Sequence, residues 1–179
     1  MPSYDASSCD VWIFTFKEGI LSRVAHDLKL KLERFTVEIS QSGVEATFDT
    51  RSLRVECAMS DGRDARGVLS ARDVTKIESQ IREDVLHSGR FPEARFVSQS
   101  VQVSGSRLKV QGQLDLHGRR RDVETQFEPR GEVWAAELSL SQPDFGIRPF
   151  RAAFGALKVQ PQIKVRLEVP SRAVAAYVG

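Results

Sequence analysis

The chain has 179 residues, with 26 Lys and Arg against 24 Asp and Glu and a formal net charge of +2. That length suits one domain that buries its own core. Cations this evenly spread exclude a nucleic-acid-binding stripe, and no run approaches the ~20 apolar residues of a membrane-spanning helix.

Two cysteines, Cys9 and Cys57, lack metal-type spacing. The start, MPSYDASSCDVW, has neither a basic n-region nor an apolar h-region. As written, the chain therefore reads as cytoplasmic, with both thiols reduced.

In chain order, Cys9 to Lys17 (CDVWIFTFK) reads as a strand rich in β-branched and aromatic residues. Val11 and Ile13 share one face and Trp12, Phe14 and Phe16 the other, so both faces need cover. Gly19 to Ala25 is a linker or helical turn. Asp27 to Ser40 reads as one long strand. Its apolar phase passes from Leu28, Leu30 and Leu32 to Phe35, Val37 and Ile39, which predicts a bulge at Glu33-Arg34. Ser42-Gly43 is a turn, and Val44, Ala46 and Phe48 begin a strand that Leu53 and Val55 continue. Met59 to Gly67 is a charged loop.

Ala71 to Leu86 is the one convincing helix. Ser70 is its N-cap and Asp73 lies in its first turn. Val74, Ile77, Ile81 and Val85 form one apolar stripe, Glu78 and Arg82 an i,i+4 pair, and Gly89 and Pro92 the stop. The helix is expected to cover an outer sheet surface or a barrel mouth.

From Ala94 the pattern is β. Phe96, Val101 and Val103 mark one strand, with a phase change near Ser98. Leu108, Val110, Gly112, Leu114 and Leu116 then alternate with polar residues. Arg119, Arg120 and Arg121 read as a solvated turn. Val123, Thr125 and Phe127 follow, then Trp134, Ala136, Leu138 and Leu140. After them comes the most punctuated stretch, Gln142 to Pro161 (QPDFGIRPFRAAFGALKVQP). It reads either as a folded-in connection that plugs one end of a sheet or as a hairpin loop carrying core anchors. Ile163, Val165, Leu167 and Val169 make the last strand. The tail, 171–179, has little to pack and is expected to be mobile.

Strands with one apolar and one polar face, joined by short turns, predict an all-β, antiparallel fold. About eight of them, with edges to hide, predict a closed barrel covered by the helix at 71–86.

Chemistry is mostly absent from the pattern. There is no phosphate loop, no zinc-protease motif and no nucleophile elbow. The three histidines are far apart in sequence. His26-Asp27 reads either as a hydrogen-bonded strand start or as a general base or metal ligand. His87 suits a helix C-terminus, and His117 needs no role. No metal or cofactor site is expected. The inward Leu, Val, Ile, Phe and Trp suit a dry core and a lipid-holding cavity alike. Gly112, Ala136, Ala46 and Thr125 among them lean toward a cavity.

Several segments, in order, resemble the YceI-like family. They are GILSRVAHDLKL, VLHSGRFPEARFVS with Pro92, Ala94, Phe96 and Ser98, LKVQGQLDLHGRRRDV with Gly112, Leu114, Leu116, Gly118 and Val123, and DFGIRPFRAAFGALKVQPQIKV. The Arg-rich turn departs from the family's usual form by lacking a proline, and the start departs from secreted members by lacking a signal peptide. The resemblance implies a lipocalin-like barrel that binds an isoprenoid or other long-chain amphiphilic lipid without catalysis.

These readings together predict one domain over 1–170 and a tail over 171–179. Leu114, Phe127, Trp134, Leu138 and Phe154 are the expected apolar lining, with His26 and Arg148 as polar contacts near the mouth. The expected role is cytoplasmic carriage or sequestration of lipid, with a homodimer allowed. The alternatives are an interaction module with a solid barrel and an enzyme dependent on His26 and Asp27.

Overall fold

Alternation sets most of the strands. Along Arg107–Leu116, Leu108, Val110, Gly112 and Leu114 are buried while the residues between them are half-exposed. The computed structural model describes residues 2–18 and 26–178, so the turn expected at Gly19 to Ala25 lies outside the described residues. In chain order the strands are β1 (Ser3–Asp5), β2 (Asp10–Thr15), β3 (Lys17–Glu18), β4 (Asp27–Leu32), β5 (Phe35–Ser40), β6 (Gly43–Asp49), β7 (Leu53–Ser60), β8 (Arg63–Ala65), β9 (Glu93–Ser104), β10 (Arg107–Leu116), β11 (Arg119–Arg130), β12 (Val133–Ser141), β13 (Arg151–Ala152), β14 (Leu157–Val159) and β15 (Gln162–Pro170).

Twelve of these, in the order β1-β5-β6-β9-β10-β11-β12-β15-β2-β4-β7-β8, form one antiparallel sheet that curls into a half-barrel. β13, β14 and β3 make a small separate sheet. The all-β antiparallel fold is as expected, but the strands outnumber the expected eight or so. β1, β3, β8, β13 and β14 have three residues or fewer, too short to show a period. The Arg119-Arg120-Arg121 run begins β11 instead of forming a turn; the turn is at His117-Gly118.

The phase change at Glu33-Arg34 is real, but it is not a bulge within one strand. β4 and β5 lie on opposite flanks of the sheet, and the chain crosses between them there. A second crossing, Thr50–Ser52, carries the chain back from β6 to β7, in the opposite direction. The two are stitched together. Ser52 Oγ accepts from the Arg34 N–H at 2.9 Å and donates to the Asp49 carbonyl at 2.8 Å. The Glu33 N–H donates to the Ser52 carbonyl, and the Asp49 N–H to that of Arg34. Ser52 is wholly buried, so these bonds keep its polar groups from being left unpaired.

β7 is long, and β8 pairs only with its Ala58–Ser60 end. Helix α1 (Ala71–Gln80) covers the rest, and Glu78 Oε1 accepts the Val55 N–H at 2.9 Å. Glu78 thus closes an open sheet edge and does not pair with Arg82 as expected. Ser70 and Asp73 form a reciprocal capping box at the helix start. One π turn (Ile81–Val85) then leads to Leu86.

The outer face of β2 is covered, as its two apolar faces demand, but by charged side chains. The ammonium groups of Lys29 and Lys31 lie 5.5 and 5.7 Å from the Trp12 ring centroid, and Trp12 donates Nε1–H to Glu56. The Arg166 guanidinium lies 5.2 Å from the Phe14 centroid. Long cationic stems cover rings while their heads stay in water.

The tail corrects the sequence reading. Ser171–Val178 is a helix, α2, with Ala173 and Val174 buried in the main core. It touches β5 and β9 on one side and β12 and β15 on the other, so it stops one end of the half-barrel. The Tyr177 hydroxyl donates to the Ser40 carbonyl.

Candidate functional site

The inward residues do not fill the half-barrel. A cavity of about 260 Å³ runs through it, just short of the ~300–1,000 Å³ of common small-molecule pockets. Val11 and Ile13 of β2, Val37 and Ile39 of β5 and Leu108 and Val110 of β10 form part of its wall. Val174 and Tyr177 of α2 stop one end. Leu86, Gln142 and Ile147 stand at the other.

That second end is built by the first half of the Gln142–Pro161 stretch. A short 3-10 turn, Gln142–Phe145, ends at Gly146 in the left-handed region (φ 70), where the chain folds back. Phe145 and Ile147 are thereby buried against Leu114 and Leu140. The Arg119 guanidinium lies over Gly146, within about 3 Å of where a Cβ would stand, so a side chain there would have to displace it as well as hold the left-handed backbone. The plug reading therefore holds for residues 142–147. Beyond them the chain turns outward.

The polar groups on the lining are already engaged. Gln142 Nε2 donates to the Gln160 carbonyl at 3.0 Å, and Thr50 Oγ1 donates to that of Phe91 at 2.7 Å. Thr125 Oγ1 donates to the Glu137 carbonyl, and the Glu124 carboxylate meets Lys109 and Gln111. A guest inside would thus find hydrocarbon almost everywhere. Burial of each of its methylenes is worth about 0.8 kcal/mol, while a polar group would lose water for nothing in return.

Among the expected lining residues, Leu114, Phe127 and Leu138 face the cavity. Trp134 is buried in the packed core beside α2 and is not on the lining. Phe154 is a correction: it is fully exposed, because residues 151–159 form an outlying hairpin. Arg148 is exposed and borders a separate groove with Asp84, Phe150 and Arg151. His26 is half-buried just before β4 and off the lining. Its neighbour Asp27 accepts the Lys17 N–H at 2.7 Å, a structural task.

One grouping was not visible in the sequence. The rings of His87 and His117 come within 5.7 Å, and Phe91 lies 4.3 Å from His117. Burial pushes the His117 imidazole down, against a hydrogen bond to the Phe145 backbone that raises it, and its Nε2 is buried without a partner. The two residues sit at turns with positive φ, 45° and 54°, on separate loops, so no sequence spacing announces them. Among the described residues no group of three metal-ligating side chains exists.

Two solved structures share this architecture. BcnA of Burkholderia cenocepacia is 14% identical, with a TM-score of 0.62 over 90% of this chain and 94% of that one. The YceI protein of Campylobacter jejuni is 13% identical, with a TM-score of 0.58 over 87% and 90%. At such identities the likeness speaks for the fold alone. No curated protein matches the chain. No helix among the described residues is long and apolar enough to cross a membrane. The YceI-like domain model matches residues 11–170, from the strand that opens the cavity wall to the one that completes it, and the chain belongs to the YceI-like family.

Proposed function

We propose that the protein binds the apolar chain of an isoprenoid or similar long amphiphile in the half-barrel, without catalysis, and so carries or sequesters it. The observation that carries this reading is the continuous apolar cavity whose bordering polar groups are already hydrogen-bonded. Leu114, Phe127 and Leu138 would contact the chain. Selectivity would rest on chain length and shape, since few polar groups are free to discriminate. The two free thiols, Cys9 and Cys57, support a reducing, cytoplasmic setting.

The test is uptake of a farnesyl-linked fluorophore by the wild type and by Leu138→Trp, whose indole would occupy the cavity. Uptake that saturates with the wild type and is lost in a folded Leu138→Trp is the expected result. Equal uptake by both, or none by the wild type after organic extraction, would remove the reading in favour of a solid interaction module.

A further inference from the structure

The inward half of the Gln142–Pro161 stretch closes the cavity, and the outward half is left with other work. β13 and β14 pair as a hairpin, and β14 pairs in turn with β3 (Lys158↔Glu18, Val159↔Lys17). At the tip Phe154 is 112% exposed, the one aromatic ring among the exposed large hydrophobic residues described. Its backbone is left-handed (φ 56, ψ 30), a conformation bulky residues seldom adopt. The chain thus accepts strain at the residue it holds out in water.

The stretch that carries this ring has charge of one sign. From Phe145 to Pro161 the sequence holds Arg148, Arg151 and Lys158 and no Asp or Glu. Glu18 lies across the ladder from Lys158, and Asp84 lies on the groove that Arg148 and Arg151 border. Among the described residues neither forms an ion pair with these cations. A tip this small cannot supply the ~800 Å² per partner of a stable protein interface. A single ring flanked by Arg and Lys does suit a bilayer interface, where the ring seats among headgroups and the cations meet phosphates.

We propose that the β13–β14 hairpin docks the protein on the surface of an anionic lipid bilayer. Phe154 enters the headgroup region, and Arg148, Arg151 and Lys158 face the lipid phosphates. The hairpin continues directly from the segment that closes the cavity, so docking brings that end of the half-barrel toward the membrane.

The experiment is co-sedimentation of the full chain with vesicles of phosphatidylcholine, alone or mixed with phosphatidylglycerol. The wild type is expected to bind only the mixed vesicles and to be released by salt. Phe154→Ser, at a site with nothing to unpack, should weaken binding about ten-fold. Arg151→Gln and Lys158→Gln should each weaken it about five-fold. Leu138→Trp should sediment like the wild type, so docking and the cavity reading fail separately. Equal binding to both vesicle types, or variants that bind as the wild type does, would overturn the proposal. A concentration-dependent dimer that Phe154→Ser abolishes would overturn it too, making the hairpin a contact between copies.

Discussion

Replacing Gly112 by alanine is expected to destabilise the protein sharply, although alanine usually suits a strand better. In an open strand site the change would stabilise by about 0.5–1 kcal/mol. Gly112 is not such a site. It faces the barrel interior at the one register shift between β9 and β10. A Cβ there would lie 2.7 Å from the Phe96 ring and still closer to the Val97 carbonyl. The ring could yield only into the cavity that it lines. The carbonyl is backbone of β9, which is paired on both sides. Overpacking costs about 1–3 kcal/mol, and a backbone clash belongs at the upper end. For a chain of this size that lowers Tm by roughly 10 °C. Scanning calorimetry of Gly112→Ala, with Gly89→Ala as a control at a position with open space, measures it. A variant as stable as the wild type, or more so, would show that Phe96 does not occupy that space.

Truncation after Pro170 removes α2, and with it the burial of Ala173 and Val174 and the partial burial of Tyr177. A loss of about 3–5 kcal/mol in urea titration is expected, together with stronger binding of an apolar dye at the uncovered end; an unchanged midpoint would refute the plug. Asp49 is held down to about 2, chiefly by the hydrogen bond from Arg51 and then by Arg34. Its contribution is therefore present above about pH 4 and lost as the pH falls toward 2. It amounts to at most about 2 kcal/mol, and less because both arginines are mainly exposed. Acid titration of Asp49→Asn should lack that part of the slope, and an identical profile would count against a contribution from the Asp49 contacts with Arg51 and Arg34. Burial pushes both the Cys9 and Cys57 thiols up, so neither should react with a disulfide reagent in the native state while both do so in denaturant.

Period two was enough to place β10, β12 and β15, since each has one face on the core and one in water. It also located the phase change between Leu32 and Phe35. It could not say that β4 and β5 part there for opposite flanks, because alternation records which face is buried and not which neighbour is paired. The covering of Trp12 by Lys29 and Lys31 was hidden for a related reason: lysine reads as solvent-facing while its stem does apolar packing. Gly112 was read as room, yet the Phe96 ring fills it, since smallness at one position reveals nothing about the residue opposite. Within the candidate site, Leu114, Phe127 and Leu138 were legible as inward residues of regular strands. Trp134 was legible as inward but not as packed under α2, a helix of eight residues too short to show a stripe. Phe154 went wrong because apolar density in an irregular stretch carries no direction. Residues 142–147 turn in and 151–159 turn out.

A ribosome makes β2 early and its partner β15 last of the strands. Residues 12–15 can pair with 28–31 once β4 emerges, but the other edge of β2 waits for residues 164–168. Throughout that interval Val11, Trp12, Ile13 and Phe14 present a bare edge with apolar side chains on both faces, the composition that recruits foreign strands. Lys29 and Lys31 arrive early enough to cover Trp12, whereas Arg166, which covers Phe14, arrives with β15. The hazard of aggregation therefore falls on the nascent chain more than on the finished one. Slower translation beyond β12 is expected to lower soluble yield while leaving the stability of the completed protein unchanged.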